Sequence, residues 1–399
     1  MTCHSAAKSR NWLSTDMTQT LDILDRLIGF DTVSAKSNLE LIDYVTDYLA
    51  ARGYSVRRIT DPSGAKAGIY AETGPDGPGV LLSAHTDVVP VEGQPWTRDP
   101  FRLTREGDKV YGRGTTDMKG YVASILSLAD RAAQADLREP LKITLSYDEE
   151  IGCLGIQQML DRLAPMIGKP RACFVGEPTG MQVAVGHKGK AALRATCHGQ
   201  NGHSAMAPQF VNALHLAADF ITGLRAIQDD FAYNGSRDMA YAVPYTTVHV
   251  GKLAGGMALN IVPDQAEIIF EYRHLAVDRA EDILPRLQKA ADRAARPYQT
   301  AWRGARIDVE QYNAYPGLDV QDGNPIIAYA KRLAQRNDTT KVPFGTEAGF
   351  FDGLGIPTIV CGPGSMEGQG HKPDEYLSLQ QLGDCDAMMD RILDDLKAQ

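Results

Sequence analysis

Apolar residues return at every third or fourth position over 20–30 and 38–52, the period of helices with one buried face. Shorter runs at 55–60, 67–73 and 79–85 are alternating or continuously apolar and bounded by Gly, Pro and Asp, as strands are. The pattern continues with a helix over 119–135, a strand over 141–147, a helix over 152–163, and strands over 171–176 and 182–186. Such alternation predicts an α/β fold: a mixed, mostly parallel sheet with helices on both faces. Open sheets of this kind collect ligands at the carboxyl ends of their strands.

From residue 187 the rhythm differs. Strand KAALRATCHG is followed by helix VNALHLAADFITGLRAIQ, strands TTVHVGKL and QAEIIFEYRHL, helix AEDILPRLQKAADRAA and strand ARIDVEQYNAY. This β-α-β-β-α-β order is the ferredoxin-like α+β pattern. Beyond it, helix PIIAYAKRLAQ, strand IPTIVCG and a helix over about 381–396 resume the first style. The expected organisation is therefore a discontinuous α/β domain, 17–186 and 316–399, split by an inserted unit at 187–315. Residues 1–16 are polar and read as a loose extension, or as an upstream start ahead of Met17.

With 399 residues and a net charge of −9, the chain has room for two such units and is poorly suited to nucleic acid or an anionic membrane as partner. It contains no apolar run of about 18 residues that could span a bilayer, and its start lacks the apolar core of a secretory signal. Six scattered cysteines without a CxxC pair point to reduced thiols in the cytoplasm.

The candidate chemistry lies at the strand ends. GVLLSAHTD closes on His85 and Asp87, LKITLSYDEE on Glu149 and Glu150, and RACFVGEP on Glu177. A glycine-rich turn, GRGTTDMKG, presents Asp117, and a late loop presents His371. Singly, each residue has a plain structural explanation: a satisfied polar histidine, a helix N-cap, a solvated glutamate pair. Together they converge on one sheet edge as N/O donors suited to zinc, cobalt or manganese. Two divalent cations bring four positive charges, while Asp117, Glu150, Glu177 and a bound hydroxide bring four negative ones. One glutamate is then left over. Neighbours on a strand point to opposite sides, so one can face a metal while the other faces the attacking water as general base, then acid.

The stretches SAHTDVVPV, GRGTTDMKG, YDEEIG, VGEPT, GHSA and FGTEAG…CGPGS…HKPDEY resemble the two-metal deacylase and carboxypeptidase family over nearly the whole chain. That family includes acetylornithine deacetylases, succinyl-diaminopimelate desuccinylases, aminoacylases and glutamate carboxypeptidases; the likeness is greatest to the first. The resemblance implies two zinc or cobalt ions per subunit, with His85 and Glu177 on one, Glu150 and His371 on the other, and Asp117 bridging. It makes Glu149 the general acid/base, has Asp87 orient His85, and implies a cis peptide after Asp117. The insert becomes a lid through which a homodimer forms, with His203 reaching the partner's site to stabilise the oxyanion. Asn260 and Arg273 would hold the substrate's α-carboxylate. The loop SMEGQGHKPDEY departs from the family by one extra residue before the histidine.

For the substrate, the relevant stretch is FGTEAGFF. The desuccinylases carry an arginine there that suits a second carboxylate; Phe350 stands in its place, and Glu347 offers a partner for the ornithine ammonium. The resemblance thus implies hydrolysis of N-acetyl-L-ornithine to ornithine and acetate, a step of arginine biosynthesis. A desuccinylase, a broader N-acyl amino acid deacylase or a dipeptidase is the sibling reading. A silent binding protein that kept the fold would have lost ligands or Glu149, and none is lost.

Overall fold

The computed structural model describes residues 15–397. Residues 1–14, most of the expected extension, lie outside the described residues, and the first helix, Thr15–Ile28, takes in the last two positions assigned to it.

A nine-stranded sheet forms the centre. Its order runs Ser55–Thr60, Ala67–Thr73, Leu141–Ser146, Val80–His85, Ala172–Pro178, Thr358–Gly362, Val183–His187, Leu318–Asp319, with Thr339–Val342 also paired to Val183–His187. The four middle strands, Leu141–Ser146 to Thr358–Gly362, are parallel to one another, and the flanking pairs are mostly antiparallel. Every residue of these four strands is buried, because helices cover both faces; that is why they read as apolar runs and not as alternation. Helix Lys119–Ala132 links Val80–His85 to the strand on one side of it, and helix Leu154–Ile167 leads back across it to Ala172–Pro178. Right-handed crossovers in opposite directions put these two helices on opposite faces.

A second sheet is four-stranded and wholly antiparallel, ordered Thr247–Gly255, Gln265–His274, Gly189–His198, Arg306–Tyr315. In chain order its strands lie second, third, first, fourth, the ferredoxin-like arrangement. Strand Gly189–His198 alternates buried and half-exposed residues along its whole length. Its buried side packs on helices Ala213–Asn234 and Ala280–Ala295, with Leu193, Phe220, Phe270 and Leu287 in a core separate from that of the large sheet.

The two connections between the sheets run side by side. The chain leaves the large sheet after Val183–His187 and returns at Leu318–Asp319, which pairs with it. A Cβ at Gly317 would lie 2.7 Å from the Gly189 nitrogen and 2.8 Å from the His187 carbonyl oxygen, so only glycine allows the two connectors to pass this closely.

A three-stranded sheet of Thr104–Glu106, Lys109–Tyr111 and Tyr376–Ser378 was not legible in the sequence. Among the described residues no helix is long and apolar enough to cross a membrane, and the five cysteines, Cys153 to Cys385, are buried and unpaired.

Candidate active site

The three acids of YDEEIG are handled separately. Asp148, at positive φ, pairs with Lys66. The next two residues hang on Asp87, whose carboxylate accepts the backbone N–H of Glu149 (3.1 Å) and of Glu150 (3.3 Å) and the Ser34 hydroxyl (2.6 Å). Asp87 also lies beside His85, which contacts the Asp87 carbonyl oxygen through Nδ1 at 3.0 Å and its carboxylate at 3.5 Å. One buried carboxylate therefore sets the histidine and the glutamate turn together. The sequence suggested only the first of these contacts.

Asp117 is positioned by a residue the sequence reading missed. Glu375 accepts the backbone N–H of Thr116 (2.9 Å) and Asp117 (3.1 Å) on one oxygen and the Arg113 guanidinium (2.6 Å) on the other. Arg113 and Glu375 side chains are each 1% exposed. The Asp117–Met118 peptide is cis, as the resemblance implies.

Held this way, Asp117 offers one oxygen to each histidine: Oδ1 lies 3.1 Å from His85 Nε2 and Oδ2 3.1 Å from His371 Nε2. Glu150 is 3.0 Å from His371, and Glu177 is 3.8 Å from His85. Donor atoms of His85, Asp117 and Glu150 lie within 4.8 Å of one another, and so do those of His85, Glu149 and Glu177. Glu149, expected to stay off the metals, thus sits close beside His85 and Glu177.

The cluster is short of positive charge. Burial and the neighbouring carboxylates push Glu149 and Glu177 well above the usual carboxylate range, and the same causes raise Glu150 to about 7. Burial opposes charge on His371 and His85, but the acids outweigh it: His371 rises to about 10 and His85 well above its ordinary value. Glu177 Oε1 is buried without a hydrogen-bond partner. Four carboxylates around two imidazoles, with an orphaned oxygen among them, fit a site built for divalent cations with hard and borderline donors.

A cavity of about 180 Å³ opens over the cluster. One wall carries Asp117, Glu149, Glu150, Glu177 and His371; the other carries Lys190, Arg273 and Tyr315 from the four-stranded sheet and its exit. The two sides touch through Asn313, whose amide nitrogen donates to the Gly152 carbonyl (2.9 Å) and whose oxygen accepts from Gln157 (3.1 Å). Lys190 was not foreseen. Alternation put it on the polar face of its strand, but nothing local told that this face turns toward the acids.

Two expected substrate contacts, Asn260 and Glu347, are not among the residues lining the cavity, and His203, expected to act in a partner's site, lies away from the cavity of its own chain. His203 and Asn260 are exposed and lie together at one end of the four-stranded unit, where Gly202–His203 pairs with Ile261–Val262 and the Ser204 N–H donates to the Asn260 carbonyl (3.0 Å). Neither is among the residues lining the cavity, so Asn260 does not join Arg273 within one chain. Glu347 is 1% exposed beneath the cavity, in reach of Ser146 and His85; burial lifts its carboxyl to about 7, and its Oε1 has no partner. Glu347 is not among the residues lining the cavity, where the expected ammonium contact would be made.

The sequence profile of peptidase family M20/M25/M40 matches residues 81–395. The chain belongs to this family. It is accordingly a metal-dependent amidohydrolase. An acetylornithine deacetylase of Erwinia tasmaniensis is 32% identical over 372 residues, 92% of this chain and 94% of that protein. Among solved structures, a family M20 metallo-carboxypeptidase of Sulfolobus solfataricus shares the fold with a TM-score of 0.76 at 19% identity, covering 95% of this chain and 99% of that one. A dinuclear metal-binding peptidase of Bacillus subtilis does so with a TM-score of 0.66 at 18% identity, covering 96% and 99%.

Proposed function

We propose that this chain hydrolyses the amide of N-acetylated amino acids, N-acetyl-L-ornithine first among them, releasing acetate and the free amine. The carrying observation is the cavity itself, with a carboxylate-and-histidine cluster on one wall and the Arg273 guanidinium on the other. The likeness to an acetylornithine deacetylase over nearly the full length supports ornithine, as does Phe350, an apolar ring where a desuccinylase has an arginine.

His85, Asp117 and Glu177 would hold one zinc or cobalt ion, and Asp117, Glu150 and His371 a second. Such ions, when bound, supply Lewis acidity to the amide carbonyl and lower the pKa of water. Glu149 takes a proton from the attacking water and passes it to the leaving nitrogen. Asp87 keeps the glutamate turn in register with His85, and Arg273 holds the substrate carboxylate through its planar fork. We take residues 187–315 as the inserted unit and His203 and Asn260 as contributions to the site of a second copy. Their exposed setting beside Met257 and Leu259, both almost fully bare, supports that reading.

The deciding experiment compares metal-loaded protein on N-acetyl-L-ornithine, N-succinyl-L,L-diaminopimelate and simple dipeptides. N-acetyl-L-ornithine should lead in kcat/KM by about tenfold or more. A lead for either other class overturns the reading. Because Glu347 is buried, N-acetyl-L-norvaline, which lacks the amine, should come within about threefold of the ornithine compound.

A further inference from the structure

Strands Gly189–His198 and Gln265–His274 run antiparallel with Lys190 directly opposite Arg273. Glu271, two residues before Arg273 and on the same face, lies between the two cations. Lys190 Nζ is 2.9 Å from one of its oxygens, and Arg273 Nε is 2.9 Å from the other. Lys190 and Arg273 both line the cavity that holds the acid cluster, and Glu271 is not among its lining residues. Its carboxyl sits below the usual range: burial works against the charge, but Lys190 and Arg273 outweigh it.

The charges decide what this trio can do. An Arg273–Glu271 pair alone is neutral, and a ligand carboxylate would have to compete with Glu271 for the guanidinium. Lys190 changes both facts. It gives Glu271 a second partner, and it leaves the trio with one net positive charge facing the cavity. Arg273 meets Glu271 through Nε, so its two terminal nitrogens are left to grip a carboxylate side by side.

We propose that Lys190 is a specificity-determining residue: paired with Glu271 beside Arg273, it supplies the net positive charge that strengthens the hold of Arg273 on the free α-carboxylate of an N-acyl amino acid. This rests on the N-acyl amino acid reading above. Lys190 supplies the net charge and Arg273 the geometry.

The test pairs N-acetyl-L-ornithine with its α-carboxamide, on the parent protein and on Lys190→Gln and Lys190→Arg, all metal-loaded. Lys190→Gln should raise KM for the acid by about tenfold or more, and KM for the amide by less than about twofold. Lys190→Arg should recover most of the loss on the acid. A purely structural role for Lys190 would move both substrates alike, and that result, or no change on either, overturns the proposal. If Lys190→Gln does not fold, Glu271→Gln decides: a net charge of two should tighten the acid and not the amide, and weaker acid binding overturns the proposal. If neither compound is turned over, the deacetylase reading fails, and calorimetric binding of the two judges the role of Lys190 separately. Preference for the acid that is lost in Lys190→Gln supports it, and equal binding, or none, overturns it.

Discussion

Replacing Glu375 with Gln probes how the site is held. Glu375 and Arg113 are both almost fully excluded from water, so the variant leaves the guanidinium buried with an amide N–H₂ facing it in place of a carboxylate oxygen. Breaking a buried pair from one side costs about 3–5 kcal/mol, a large part of the roughly 5–15 kcal/mol that holds a typical domain folded. Arg113→Lys is the milder change. It keeps the charge for Glu375 but loses the second arm of the fork, which donates to Gln94 (2.6 Å) and the Pro90 carbonyl (3.3 Å). That loss is worth about 1–2 kcal/mol. Trp96 lies 5.0 Å from the Arg113 guanidinium and reports on this spot if Trp12 and Trp302 are first changed to Phe. Urea unfolding of the metal-free proteins, followed by Trp96 fluorescence, should rank Glu375→Gln below Arg113→Lys and both below the parent. Metal affinity should fall about 10–100-fold in Glu375→Gln, because the backbone of Asp117 loses its anchor. A cost under about 1 kcal/mol for Glu375→Gln, or one no larger than that of Arg113→Lys, would refute the reasoning.

Three further outcomes are expected. Glu149→Ala should lower kcat by about 10²–10⁴-fold with metal content unchanged by mass spectrometry; a metal-free or nearly fully active variant contradicts its role. Inactive His203→Ala and Glu149→Ala proteins, mixed after dissociation and reassociation, should regain activity in heterodimers, where one site carries both lesions and the other none; heterodimers without activity exclude action in trans. Burial raises the Asp386 carboxyl to about 6, although Ser124 donates to it, from about 3.9 when unfolded. The folded chain keeps that proton longer, so the contribution of Asp386 is fully present below about pH 4 and is lost as pH rises through about 6, some 3 kcal/mol in all. Asp386→Asn should therefore gain stability over the parent across that window in thermal melts, and a difference independent of pH counts against it.

The large sheet was readable because strands buried on both faces become unbroken apolar runs, and their polar last residues stand out. His85, Glu149, Glu150 and Glu177 were found this way. Arg113 and Glu375 were not, since a buried ion pair joining residues 262 apart leaves no local pattern. The same holds for Lys190 and Glu271, which alternation marks only as polar. Three-residue strands such as Lys109–Tyr111 are too short to show a period. Glu347 stood out as an acid in the stretch where Phe350 replaces a desuccinylase arginine, but the burial of its carboxyl is decided by strands far from it in sequence. His203 and Asn260 sit in recognisable motifs, yet motif spacing does not tell that strand pairing brings both to one exposed end of the four-stranded unit, away from the cavity of their own chain.

Asn313 has a mechanical consequence. Its two hydrogen bonds fasten the four-stranded unit to Gly152, in the very turn that carries Glu149 and Glu150, and to Gln157 in the helix that follows. A Cβ at Gly152, where φ is +103°, would come within 2.1 Å of the Asn313 amide, so glycine is what lets the catch close. Swinging the unit away from the acids would break both bonds, at about 1–3 kcal/mol together, and would keep the ajar state to a few per cent or so of molecules. The same swing would withdraw Asn313 from the glutamate turn. On the proposed mechanism, release of the amine and repositioning of Glu149 would then be a single movement with a single energetic threshold.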